Sequence, residues 1–367
     1  MAGDVESALA AVAPGAAQTK QRPRIQRMVQ IGLSELTVSS VVETVPPVPV
    51  ATGMVATWDV EAAFDYRIKG FDRSARRFTL ALTFSGSPAR PDRVLVVDSR
   101  PADRPQPWDL GDLEIRRSSH SLVIATGKTI DPDEALRRAD RAAVRVTAVW
   151  GRSTPAVWLA PARTGDAERL LGRSGGELIG IAAATDGPLE AGTPAGADRI
   201  VLSPEAWASL RPVGRDVVMA HELTHVTVRA STTREVPLWL SEGFAEYVAY
   251  RSRGLSERTV AAPLVPVLRD GGVPGDLPDA ARFGPGTGTV GAAYAEAWLA
   301  VPVLVERHGE HDVVAFYRAA AGGLATPTAD LGDADAVVDL ALHRVLATTR
   351  ADVVAAWRQR LAVLARE

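Results

Sequence analysis

His221-Glu222-Leu223-Thr224-His225 sets the reading of this chain, and Glu242 answers it from inside Trp239-Leu-Ser-Glu-Gly-Phe-Ala-Glu-Tyr247. In an α-helix, histidines at i and i+4 project from one face, a few ångströms apart. Two imidazoles so placed form a chelate, and zinc takes neutral imidazole among its preferred ligands. Glu222 lies one residue round the helix, off the metal axis. From there it reaches a zinc-activated water and can serve as its general base. A catalytic zinc also needs a third protein ligand and an open fourth position. Glu242 supplies that ligand from a second helix folded back on the first. These residues read as a zinc hydrolase.

The flanks agree with a buried site. Val217, Val218, Met219 and Ala220 run into the first segment, and Val226 and Val228 follow it. A helix apolar nearly all round is buried, and buried histidines beside a buried glutamate need a reason. Pro237 suits the start of the second helix, and Arg251-Ser-Arg-Gly254 suits its end, cations first and a left-handed cap after. Glu242 and Glu246 are again i and i+4, so both face one way. Glu246 is placed to orient a ligand histidine through its other ring nitrogen. Gly243 allows close approach of the two helices.

HELTH followed by WLSEGFAEY resembles the gluzincin metallopeptidases, the HExxH…E clan of thermolysin-like enzymes and zinc aminopeptidases. The likeness is tightest over residues 216–250 and looser across the C-terminal two-thirds. In layout the chain is also similar to actinobacterial proteins with an N-terminal accessory domain and a peptidase-like C-terminal half. The resemblance implies zinc bound by His221, His225 and Glu242, Glu222 as general base, and Glu246 behind the ligands. It also implies that Tyr294, in Ala293-Tyr-Ala-Glu-Ala297, takes the place of the transition-state tyrosine of the aminopeptidases. Two departures stand out. The spacer between His225 and Glu242 (226–241) is two residues shorter than in the aminopeptidases, and their Gly-x-Met-Glu-Asn segment is missing.

Composition narrows the alternatives. The chain has 367 residues, 46% of them hydrophobic and 23% charged, which suits two globular domains rather than one. A net charge of −3 gives no reason to expect a nucleic-acid partner, and a peptide or protein substrate is what the gluzincin resemblance implies. Zero cysteines exclude disulfides, thiolate catalysis and cysteine-type zinc sites. No apolar run is long enough for a membrane span. Met1-Ala-Gly-Asp-Val-Glu-Ser lacks the order of a signal peptide, so a cytoplasmic location is expected as written. Export or a cell-surface location is the alternative if the N-terminus has been trimmed.

The expected architecture is α+β. Residues 1–23 read as a tail and 24–127 as an accessory domain. That domain has a helix over 24–36, a stiff connector at Pro46-Pro47-Val48-Pro49, and then an antiparallel sheet. Trp58, Val60, Ala62, Phe64, Tyr66 and Ile68 alternate with polar residues at period two, and Phe78–Phe84, Val94–Val97, Leu113–Ile115 and Ser121–Ala125 continue the pattern. The arrangement is similar to cystatin-like or nuclear-transport-factor-2-like domains. Asp109, Asp112, His120, Arg116 and Arg117 read there as solvated positions.

Residues 131–367 are expected to form the peptidase-like domain. A helix runs from 131 to about 143, and strands near 144–150, 156–160, 177–184 and 198–203 surround a helix at 165–173. The gluzincin resemblance implies that residues 198–203 form the edge strand beside the site. Glycine-rich loops at 271–275 and 283–291 read as surface loops or as a rim of the cleft. Helices at 292–308, 311–322, 333–347 and 350–366 form an all-helical lobe. His308 and His311 are left outside the site. Two other functions use the same residues: a non-catalytic zinc-binding regulatory protein, and a zinc hydrolase of a non-peptide amide or ester.

Overall fold

The computed structural model describes residues 5–46, 56–87, 90–187, 192–284, 288–323 and 333–366. The fold is α+β, with a four-stranded antiparallel sheet, a five-stranded mixed sheet and many helices. The chain forms two compact units that interleave in sequence. One comprises residues 1–136, 155–188 and 196–209, and the other 137–154, 189–195 and 210–367.

The first unit opens with α1 (Val5–Leu9) and α2 (Ala16–Ile31), where a tail was expected. Gly32, at φ 85°, ends α2 in the left-handed conformation that glycine adopts freely, and donates back to Val29 O. The helix therefore stops five residues before the expected 36. Leu33 at once begins β1 (Leu33–Val45), whose β-branched Thr37, Val38, Val41, Val42, Thr44 and Val45 suit a strand. Most of the proposed proline connector lies outside the described residues.

β2 (Ala56–Ile68), β3 (Arg76–Ser87) and β4 (Arg90–Pro101) complete a sheet of order β1-β2-β3-β4. The register sets Trp58 opposite Phe84 and Phe64 opposite Phe78, and both ring pairs stack. β5 (Glu114–Arg117) and β6 (Ser121–Ala125), expected to continue this sheet, instead start the mixed one. α3 (Pro132–Trp150) follows, and residues 144–150 are its last two turns, not a strand. The apparent alternation Val144, Val146, Ala148, Trp150 misleads. The buried set is Ala139, Ala142, Ala143, Val146, Val149 and Trp150 at helical spacing, while Val144 is 72% exposed.

β7 (Ala156–Ala160), α4 (Thr164–Leu170), β8 (Ala183–Asp186), β9 (Arg199–Leu202) and α5 (Pro204–Ser209) complete the first unit. The mixed sheet has the order β5-β6-β7-β9-β8, parallel at its centre and antiparallel at both edges. The edge is thus β8, and β9, expected there, is an interior strand. Tyr66, Phe78 and Trp108 meet edge-on at 5.3–5.7 Å in a core that also takes Leu122, Ile124, Leu159 and Val201. Both sheets therefore share one core, whereas the sequence reading grouped the mixed sheet with the HExxH helix. Asp109 is not solvated either. It pairs with Arg24 at 2.7 Å and accepts from Gln106 N.

The second unit holds the C-terminal part of α3 together with α6 (Pro212–Arg229), α7 (Leu238–Tyr250), α8 (Glu257–Val260) and α9 (Val265–Gly271). A 3-10 turn, Ala280–Phe283, leads to α10 (Val290–His308), α11 (Glu310–Arg318), α12 (Ala334–Leu346) and α13 (Arg350–Arg366). Of the glycine-rich stretch 283–291, residues 285–287 lie outside the described residues. Trp150, Phe244 and Tyr317 pack mutually at 4.9–5.8 Å, joining α3, α7 and α11. Arg138 on α3 donates to Asp216 and to Pro212 O, fixing the start of α6. No described helix is long and apolar enough to cross a membrane.

Candidate metal centre

α6 is buried through its second half, from Met219 to Leu223 and on to Val228, so His221 and Glu222 enter the interior at 9% and 8% exposure. Thr224 tolerates burial because its hydroxyl donates to Ala220 O at 2.7 Å. α7 lies against α6, and its apolar residues Trp239, Leu240, Phe244 and Val248 are buried. That packing turns Glu242 and Glu246 toward the histidines.

His221 Nε2 and His225 Nε2 lie 3.0 Å apart, and Glu242 Oε2 lies 3.2 Å from the first and 3.3 Å from the second. The three atoms form a nearly equilateral triangle. A tetrahedral zinc with bonds of about 2.0–2.1 Å separates its ligand atoms by roughly 3.3–3.4 Å. The donor set therefore fits in chemistry and in spacing. Among the described residues, this is the group of histidine and carboxylate side chains that could hold a metal ion.

The electrostatics bind the cluster together. Burial opposes charge on His221, but contacts with Glu242 and Glu246 outweigh it and hold the imidazole well above its ordinary pKa. Burial likewise opposes ionisation of Glu242, and the two imidazoles overcome it and hold the carboxylate well below its usual range. Glu246 Oε1 lies 3.0 Å from His221 Nδ1. This contact is short but poorly aligned as a hydrogen bond, so we count it as a charge contact that steers the ring.

The Tyr294 ring, half-buried on α10, lies 6.1 Å from the His221 ring, which puts this residue beside the cluster. Gly243 is not the contact between α6 and α7. A Cβ there would meet Ala297 O at 2.3 Å, so it serves the approach of α10 to α7. His311 is exposed and contacts Asp312, away from the site.

Three residues near the cluster escaped the sequence reading. Tyr317 is buried against Phe244, and burial together with the charge on Glu242 raises its phenol pKa. In sequence it belongs to an ordinary apolar helix stripe. Arg282 and Phe283 sit in a stretch that reads as loop, yet they contact Glu296 and Tyr294. The conspicuous sign was Glu296 itself, a carboxylate in an alanine-rich apolar helix. No model of a known protein family matches the chain, and no curated protein matches it either.

Proposed function

We propose that this chain is a zinc-dependent metallopeptidase of the gluzincin kind, hydrolysing a peptide bond in a peptide or protein substrate. The observation that carries this reading is the triangle of His221 Nε2, His225 Nε2 and Glu242 Oε2, with the buried Glu222 between the two histidines on α6. A structural metal site has no need of a buried carboxylate there.

His221, His225 and Glu242 would hold the ion. Zinc supplies a Lewis acid that draws the pKa of water toward neutrality and polarises a carbonyl. Glu222 accepts the proton of the attacking water on its carboxylate and returns it to the leaving amine. Glu246 holds the His221 ring by Nδ1, leaving Nε2 to face the triangle. The Tyr294 hydroxyl donates to the oxyanion of the tetrahedral intermediate, as such intermediates require. Burial of His221 and Glu222 limits competing water and strengthens each of these interactions.

The decisive experiment compares Glu222→Gln with His225→Ala on an unbiased peptide library. Glu222→Gln should bind one zinc and lose activity by about 10²–10⁴-fold, the range for removal of a general base. His225→Ala should lose the zinc itself. A fully active Glu222→Gln protein would sink the mechanism and favour a binding role.

A further inference from the structure

Glu296 is a fully buried carboxylate, at 0% exposure, that the mechanism above does not use. Taking a carboxylate out of water is costly unless a partner meets it. Its partner is Arg282, from the 3-10 turn Ala280–Phe283. Arg282 Nη1 lies 2.6 Å from Glu296 Oε2, and Nη2 donates to Oε1 at 3.0 Å. One prong is a hydrogen bond and the other a close charge contact, and together they fix the turn against Glu296.

The next residue in the turn completes the arrangement. The Phe283 ring stands edge-on to Tyr294, with centroids 5.4 Å apart and planes at 80°. Tyr294 in turn lies 6.1 Å from His221. Arg282 and Phe283 therefore grip α10 at two places, 296 and 294, both in its second turn. The turn is itself tied down. Asp279 accepts from Arg282 N, and Leu277 is buried just before it.

Tyr294 takes the Phe283 ring as one of its supports. It lies in the opening turns of α10, whose N-cap residue Thr289 makes no side-chain capping bond. Helix starts without such a bond fray readily.

We propose that Arg282 and Glu296 are positioning residues for Tyr294. Their ion pair pins the 280–283 turn so that the Phe283 ring fixes the Tyr294 ring beside His221. The inference rests on the reading of Tyr294 as an oxyanion donor, but its structural half stands apart from that reading.

The test uses the full chain labelled with fluorotyrosine. There are five tyrosines, and the Tyr294 fluorine signal is the one lost in Tyr294→Phe. In the metal-free protein, Glu296→Gln and Arg282→Met should each shift and narrow the Tyr294 signal and leave the other four in place. Arg282→Lys should restore most of the original position. An unmoved Tyr294 signal in both variants overturns the proposal. If either single variant does not fold, the double variant Arg282→Met/Glu296→Gln, which leaves no buried charge unpaired, decides in its place.

Kinetics supply the second arm. On a peptide that the zinc-loaded protein cleaves, Glu296→Gln should lower kcat by about ten- to a hundredfold with KM nearly unchanged, the scale of a catalytic group displaced by about an ångström. In a Tyr294→Phe background the same change should have no further effect. Additive losses would show that the pair acts elsewhere and overturn the proposal. A Tyr294→Phe protein with normal kcat refutes the donor role instead, and the fluorine signals then judge the positioning claim by themselves.

Discussion

At the scale of single residues, His221 makes three contacts at once: Nε2 to the triangle, Nδ1 to Glu246, and its ring to Tyr294. Its raised pKa has a consequence with a definite sign. In the metal-free protein, contacts with Glu242 and Glu246 outweigh burial and favour the protonated imidazole of His221 beyond its ordinary value, near 6.5. The stability it contributes is full below the unfolded value and is lost as pH rises through the raised folded value. Zinc must displace that proton, so calorimetry in buffers of different ionisation enthalpy should show about one proton released per zinc at pH 7. Release near zero would mean that His221 is already neutral. Glu246→Ala should weaken zinc binding by roughly ten- to a hundredfold, as losing a carboxylate behind a ligand histidine does. An unchanged dissociation constant would reduce Glu246 to a surface charge. The triangle was legible in sequence because i and i+4 are neighbours on any helix, whatever surrounds it. The pairing of Arg282 with Glu296 was not legible, because the thirteen residues between them (283–295) follow no single period.

At the scale of elements, α7 is the hinge of the arrangement, with α6 on one side and α10 on the other. Gly243 sets the second distance, since a methyl group there would lie 2.3 Å from Ala297 O and 2.8 Å from its carbonyl carbon. Both neighbours are backbone, so a helix must move. Gly243→Ala should cost about 1–3 kcal/mol in thermal denaturation, the usual range for an overfilled core. Because Glu242 is the preceding residue, zinc affinity should fall as well. A variant of native stability and native affinity would show that α10 yields freely. Helices α6, α7, α10 and α13 and strand β2 were legible in the residue pattern, which runs long in each. It failed at α3, where β-branched residues at alternate positions imitated a strand inside a helix. It failed again at β1, where the single residue Gly32 ends one element and releases the next.

For the whole molecule, the first unit has a buried lock of its own. Arg199 grips Asp72 through two 2.7 Å contacts, with both side chains almost wholly enclosed, and Asp72 also accepts from Ile68 N. Asp72→Asn strands a buried guanidinium and should destabilise the protein by about 3–5 kcal/mol, the cost of breaking such a pair. Zinc stoichiometry should stay at one, because His221, His225 and Glu242 belong to the other unit. Loss of zinc at a temperature where the variant is still folded would contradict that division. The α+β class could be read from the alternating patterns, but the division into units could not, because it depends on which distant segments share a core. The chain passes from one unit to the other at 136/137, 154/155, 188/189, 195/196 and 209/210. On the ribosome this interleaving imposes a schedule. Domains tend to fold as they emerge, N-terminal first. Here the first unit waits for β9 and α5, and the α3 segment is made early and must idle with its apolar stripe uncovered until the final 158 residues (210–367) arrive. A ribosome stalled anywhere before residue 242 therefore holds a nascent chain in which His221 and His225 have no Glu242 to close their triangle, and the candidate metal centre cannot assemble until α6 and α7 have both been made.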